Sequence, residues 1–250
     1  MLIKYKLSSL IIAAAFLGAC STPYAITKSD REEYAINEKI GVDSTIIKTY
    51  LPYKTMLDQE MNKVIGNTEV ALTKASTLPE TILGNFFADA VFNQVKKIEP
   101  NVDFVFPTTK GGLRNDIPKG PITVSGVFEL MPFENQLVLF KLRGNDVLTI
   151  LQYIAMANGQ PVAGLKMNIN HNVPENIYIN GKPFNVEQTY NVVTSDYIAN
   201  GGDDASGFGN PIDRKNIGLL VRDALLKEVA EIQSAGKKIN AKIDGRITKN

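Results

Sequence analysis

The stretch LGNFFADAVFNQVKKIEPNVDFVF, residues 83–106, reads as a helix, a stop and a strand. Phe86, Phe87, Ala90, Val91 and Val95 recur at the three- and four-residue spacing of a buried helix face. That predicts a helix over residues 83–98. Pro100 lies just past its end, where a helix cannot continue. Val102-Asp-Phe-Val-Phe106 then alternates as a strand does, and a glycine-rich loop over residues 108–120 follows it.

On the N-terminal side, Ile46, Tyr50, Tyr53, Leu57, Met61 and Val64 keep helical spacing. They predict an amphipathic helix over 45–65, capped by Ser44 and ended by Gly66. Residues 68–73 read as a strand. On the C-terminal side, 122–124 and 136–142 are strand candidates. Residues 146–157 read as a helix terminated by Gly159 and Pro161. Residues 165–170 and 176–179 form an expected hairpin arm, with Asn180-Gly181 as the next turn. Residues 190–195 read as another strand. Ile217, Leu220, Val221, Ala224, Leu225, Val229 and Ile232 mark a final long helix. No internal repeat interrupts this order. Helices and strands mix without strict alternation, so the expected fold over residues 45–250 is α/β (α+β) with a mixed β-sheet, not a doubly wound one.

The N-terminus has a different character. Lys4 and Lys6 precede an apolar run from Leu10 to Phe16, and Leu17-Gly-Ala-Cys20 follows. A basic start, a short apolar core and a small-residue cleavage site make an export signal. The cysteine after Leu17-Gly-Ala resembles the bacterial lipoprotein signal. It implies a signal peptide over 1–19, a lipid on the Cys20 thiol and a polar tether over 20–44. Several acyl chains at about 0.8 kcal/mol per buried methylene hold a chain on a membrane without a spanning helix. Cys20 is the single cysteine, so it has no disulfide partner within the chain. The expected location is outside the cytoplasm, lipid-anchored to a bacterial membrane. Ser21 is compatible with outer-membrane sorting toward the periplasm in a Gram-negative source.

Composition excludes several functions. Lysine plus arginine is 27 and aspartate plus glutamate is 26, which offers no electrostatic footprint for nucleic acid. There is one histidine, His171, in the turn-like context Asn170-His-Asn-Val-Pro174. A two-metal hydrolase centre needs several histidine, aspartate and asparagine ligands. No HExxH, Walker A loop or GxGxxG before a helix occurs. No catalytic residue, metal ligand or cofactor is therefore expected in this chain.

Three segments carry the remaining chemistry. In Thr109-Lys-Gly-Gly-Leu-Arg114, adjacent glycines allow close backbone approach to a ligand. Arg114 brings a planar fork suited to phosphate or carboxylate. A plain turn with a surface arginine fits the same residues. In Met131-Pro-Phe-Glu-Asn135, Phe133 fits either the core or a stacking platform, and Asn135 either a base edge or a turn. In Ser195-Asp-Tyr-Ile-Ala-Asn-Gly-Gly-Asp203, the aspartate suits ribose hydroxyls or a turn-forming role. Its spacing is wrong for an EF-hand.

In this order, the three segments together with Leu83-Gly-Asn-Phe-Phe-Ala-Asp-Ala90 and Ile122-Thr-Val-Ser-Gly-Val-Phe128 resemble the C-terminal domain of the 5′-nucleotidase / UDP-sugar hydrolase family. The likeness runs from about Thr45 to Asn250. In that family this domain holds the nucleoside while a separate metallophosphoesterase domain performs the hydrolysis. The resemblance implies that Phe133 and Tyr197 sandwich the base, worth about 1–3 kcal/mol per stacked base. It gives Asn135 to the base edge, Asp203 to the ribose, Arg114 to the phosphate or ribose side, and Gly159 or Gly164 to the pocket wall. Thr109 departs from the family's asparagine, and Thr73, Lys74 and Thr77 stand where upstream arginines are common. Residues 20–45 have room only for a linker. The expected role is the substrate-binding half of a nucleotidase in nucleotide catabolism, with a metallophosphoesterase partner that carries the divalent metal. A nucleoside-binding surface lipoprotein, or a scaffold with a relict pocket, are the alternatives.

Overall fold

The computed structural model describes residues 26–37 and 40–250. The signal-peptide reading over 1–19 and the lipidation reading at Cys20 lie outside the described residues. The chain divides into two units, Met1–Thr49 and Tyr50–Asn250. In the first, residues 26–37 are exposed and form no helix or strand.

The first helix, α1, spans Ser44–Met61, and its cap is Asp43 rather than Ser44. The Asp43 carboxylate accepts from the Thr45 amide at 2.8 Å and the Ile46 amide at 3.3 Å, satisfying two orphan donors. No residue of α1 is buried, so the predicted apolar face of Ile46, Tyr50, Tyr53 and Leu57 is exposed. Gly66 does not stop this helix. It lies inside strand β1, Val64–Thr68, where a Cβ would come 2.5 Å from Val229 Cγ1. The strand predicted over 68–73 is thus displaced toward the N-terminus; past Thr68, an isolated bridge from Leu72 to Ile117 remains there.

Helix α2, Ile82–Ile98, matches its spacing. Thr81 Oγ1 caps it by accepting from the Gly84 amide at 2.8 Å. Strand β2 follows at Phe104–Phe106. The remaining elements are β3 (Gly120–Thr123), α3 (Val124–Leu130), β4 (Gln136–Arg143), α4 (Gly144–Met156), β5 (Leu165–Asn170), β6 (Val173–Ile179), β7 (Lys182–Pro183), β8 (Thr189–Ser195), α5 (Asp196–Ala199), β9 (Asp213–Leu220), α6 (Val221–Ser234) and β10 (Ile247–Lys249).

The central sheet has the order β2-β8-β4-β9, with β2 parallel to β8 and the other pairs antiparallel. Its strands β2, β8 and β4 pack into cores on both faces. Strand alternation sends Val105, Leu137 and Val193 into one core with α2, α3 and α6. Phe104, Phe106, Val138, Phe140 and Val192 enter a second core with α4 and the β5–β6 hairpin. A second mixed sheet runs β10-β5-β6-β7, and β1 pairs with β3. The mixed-sheet α/β expectation therefore describes the fold.

Besides the displaced β1 and the two-residue β7, strands β9 and β10 escaped the sequence pattern. The final helix was expected to begin at Ile217, but Ile217 and Leu220 belong to β9 and α6 starts at Val221. β9 is a sheet edge whose Asp213-Arg-Lys-Asn216 half is exposed, so it shows no alternation. The short β10 is held by distant groups. Buried Glu80 accepts from the amides of Ile247 at 3.1 Å and Asp244 at 3.2 Å, and Arg246 forks onto Asp89 of α2 at 2.7 and 2.9 Å. Among the described residues no helix is long and apolar enough to cross a membrane.

Candidate functional site

Register brings three loops to one end of the central sheet. β2 and β8 run parallel with Phe106 opposite Thr194, so their C-terminal ends coincide. β4 runs against β8 with Leu137 opposite Ser195, so its N-terminal end lies there too. The segments after β2, before β4 and after β8 therefore converge, at the edge where open α/β sheets usually take ligands. They enclose a cleft of about 180 Å³ lined by Thr108, Gly111, Gly112, Arg114, Phe133, Asn135, Tyr197 and Asp203.

Arg114, Phe133, Asn135, Tyr197 and Asp203, chosen from the sequence, all line this one cleft. Phe133 is 39% exposed and Tyr197 47% exposed, which removes the core alternative for Phe133. Two large rings are thus left open to solvent in the same cleft, where an apolar face could take a flat partner by stacking. Among the described residues the Asn135 carboxamide has no protein partner; its backbone carbonyl accepts from the Val221 amide at 2.9 Å. Arg114 forms no ion pair among the described residues, and its Nη1 has only the Gly111 carbonyl at 3.5 Å.

Gly159 stands apart from the lining. It has φ +88°, and a Cβ there would collide with the Pro79 carbonyl oxygen. Its neighbours brace the glycine-rich loop: Lys110 Nζ donates to the Asn158 carbonyl at 2.9 Å, and the Lys110 amide to Gln160 Oε1 at 2.8 Å. Burial lowers the Lys110 pKa. Gly164 is also elsewhere, against Asp103 and Phe92.

Asp203 joins the loops. Its Oδ1 accepts from Tyr197 Oη at 2.9 Å, its Oδ2 from Thr109 Oγ1, and its carbonyl from Tyr153 Oη at 2.8 Å. The bond to Asp203 raises the Tyr197 pKa, and burial raises that of Tyr153. Lys74 donates to the carbonyls of Leu113 and Arg114 at 3.2 and 2.9 Å, so it braces the backbone of the arginine loop. Sequence reasoning missed Tyr153 and Arg222. The latter is a buried α6 residue that donates to the Phe133 carbonyl at 3.4 Å. Both act across long sequence separations and carry no local signature.

His171 is exposed in the β5–β6 turn, at φ +48°, away from the cleft lining. Among the described residues no group of three His, Cys, Asp or Glu side chains is arranged to hold a metal.

Fold and cleft together define an α/β domain with an aromatic-lined cleft at the end of its central sheet. A family model described as "5'-nucleotidase, C-terminal domain" matches residues 64–210, and the chain belongs to that family. It is 28% identical over 214 residues to the trifunctional nucleotide phosphoesterase protein YfkN of Bacillus subtilis (strain 168), covering 78% of this chain and 14% of that protein. It is 27% identical to a 5'-nucleotidase of Vibrio vulnificus (strain CMCP6), covering 67% of this chain and 31% of the relative. A cell wall protein of Listeria monocytogenes, Lmo0130, is 25% identical over 77% of this chain and 28% of its own length. The crystal structure of a 5'-nucleotidase precursor from Thermus thermophilus superposes with a TM-score of 0.66 at 26% identity, covering 81% of this chain and 42% of that one. The chain thus spans less than half the length of each of these proteins.

Proposed function

We propose that the cleft binds a nucleoside or nucleotide and that the chain is the substrate-binding half of a 5′-nucleotidase-type hydrolase. The observation that carries this reading is the pair of open rings, Phe133 and Tyr197, sharing a cleft with the free carboxamide of Asn135. A base stacks on the rings and meets the carboxamide at its edge. Arg114 and Asp203 line the same cleft without pairing with each other. Their opposite charges orient a nucleotide, its phosphate toward Arg114 and its sugar hydroxyls toward Asp203. Relatives named as nucleotidases and nucleotide phosphoesterases support this substrate class. Hydrolysis is supplied by a metallophosphoesterase partner that carries the divalent metal; this domain contributes positioning, which can be worth several kcal/mol of a barrier.

Calorimetric titration with adenosine and AMP tests the binding claim. Wild type binds both, and Phe133→Ala and Tyr197→Ala each weaken both ligands about ten-fold or more. Arg114→Ala weakens AMP about ten-fold while leaving adenosine nearly unchanged. Failure of wild type to bind either ligand sinks the proposal. Affinity capture from native membranes, probed for metal-dependent phosphatase activity, tests the partner. A lipid on Cys20 would anchor the chain to a membrane; radiolabelled palmitate incorporated by wild type and lost in Cys20→Ala tests this.

A further inference from the structure

Among the described residues, Asp203 is held by hydroxyl groups and by no cation. Tyr197 donates to one carboxylate oxygen and Thr109 to the other, while Tyr153 fixes the peptide carbonyl. The backbone at Asp203 has φ +53°, directly after Gly201 and Gly202. The turn and the side chain are therefore constrained from three separate segments.

An ionised carboxylate offers about four acceptor positions, two on each oxygen. The two protein hydroxyls occupy one on each. One acceptor is left on each oxygen of a group that lines the cleft. Two acceptors side by side on one carboxylate match the two donors of a vicinal diol, one O–H to each oxygen. A phenylalanine at position 197 stacks as well as a tyrosine does. It leaves Oδ1 without a donor and lets the carboxylate rotate about its χ2 bond.

We propose that the Tyr197 hydroxyl, together with Thr109, sets the Asp203 carboxylate to receive a vicinal diol, so that Tyr197 decides selectivity for ribonucleosides over deoxyribonucleosides in addition to stacking the base. This rests on the nucleoside reading of the cleft. The donor persists across the neutral range, because the bond to Asp203 holds the phenol above its ordinary value of 10.0. Thr109 acts through Asp203 and is a positioning residue.

The test is a matrix of calorimetric titrations: adenosine, 2′-deoxyadenosine and 3′-deoxyadenosine against wild type, Tyr197→Phe, Thr109→Val and Thr109→Ser. Wild type should prefer adenosine about ten-fold over either deoxynucleoside, the scale of one lost hydrogen bond to a charged group. Tyr197→Phe should hold its deoxyadenosine affinities within about two-fold of wild type and let the preference fall below about three-fold. Thr109→Val should lose the preference in the same way, and Thr109→Ser should restore it. A preference that survives Tyr197→Phe overturns the inference and leaves the nucleoside reading standing. Equal losses for all three ligands also overturn it, because the hydroxyl would then serve stacking alone. Wild type that binds none of the three overturns the nucleoside reading and the inference with it. Thermal melting of each variant separates a lost preference from a lost fold.

Discussion

Arg222 donates through Nη1 to the carbonyl oxygen of Phe133 at 3.4 Å, from a side chain only 7% exposed. Its guanidinium carbon sits 4.1 Å from the centre of the Phe128 ring, and Nη2 reaches Glu134 at 3.4 Å. Helix α6 thereby fixes the loop that carries an aromatic wall of the cleft. Arg222→Ala deletes a shielded cation–π contact, the buried stem and the donor to Phe133. A loss of about 2–3 kcal/mol is expected in urea unfolding. Arg222→Lys keeps the charge but not the planar fork, and should recover less than half of that loss. An unchanged urea midpoint in the alanine variant would show that the loop is not pinned from α6.

Gly202 packs under the Tyr197 ring, and a Cβ there would lie 2.5 Å from ring atoms. The ring is the movable partner, since Tyr197 is about half open to solvent. Gly202→Ala should swing the phenol away and weaken adenosine about ten-fold, as Tyr197→Ala does, with little change in melting temperature. Adenosine affinity equal to wild type would mean that the ring's place does not depend on this glycine.

Gly159 presents the opposite case. Its φ of +88° and its approach to the Pro79 backbone leave no tolerant neighbour. Gly159→Ala is expected to cost about 2–4 kcal/mol in stability. The fraction that folds should bind adenosine normally, because Gly159 does not line the cleft. Calorimetry corrected for the active fraction measures this. A true rise in dissociation constant would return Gly159 to the ligand.

Arg246 donates to Asp244 from Nε at 3.0 Å and from Nη2 at 2.7 Å. That bonding holds the Asp244 carboxyl below its ordinary value of 3.8. As pH falls through that value, the unfolded chain takes up a proton that the folded chain refuses, and stability drops. The contribution is fully present above about pH 5 and is lost progressively as pH falls toward the lowered folded value. Asp244→Asn should lower the melting temperature at pH 7 and flatten its fall between about pH 5 and 3. Parallel melting curves for the two proteins would contradict the assignment.

Much of this architecture was legible. α2 followed from the spacing of Phe86, Phe87, Ala90, Val91 and Val95, because a helix that buries one face must repeat apolar residues at that interval. The strands β4 and β8 were legible within a residue of their ends. β9 was not, because an edge strand with polar, exposed residues is defined only by what it pairs with. Gly66 shows the limit of a local pattern. A helix stop looks the same in sequence as a glycine required by a neighbour far away along the chain, here Val229, whereas Gly159 does follow the end of α4 as its sequence context implies. α1 carries a helical apolar pattern and is a helix, yet its pattern did not reveal that no residue in it is buried.

For the cleft, the sequence by itself determined the residue types: an arginine after two glycines, an aromatic after Met131-Pro132, a tyrosine and an aspartate on either side of Gly201-Gly202. Those choices depend on local turn geometry and side-chain chemistry, which a short segment encodes. Only the tertiary structure decided that Phe133 is open and not core, that Thr109 and Tyr197 share the Asp203 carboxylate, and that Tyr153 and Arg222 brace the site. The physical reason is that the pairings of β2 with β8 and of β4 with β8 bring three distant loops to one end of a sheet, and the packing of α4 and α6 carries Tyr153 and Arg222 to those loops across long sequence separations.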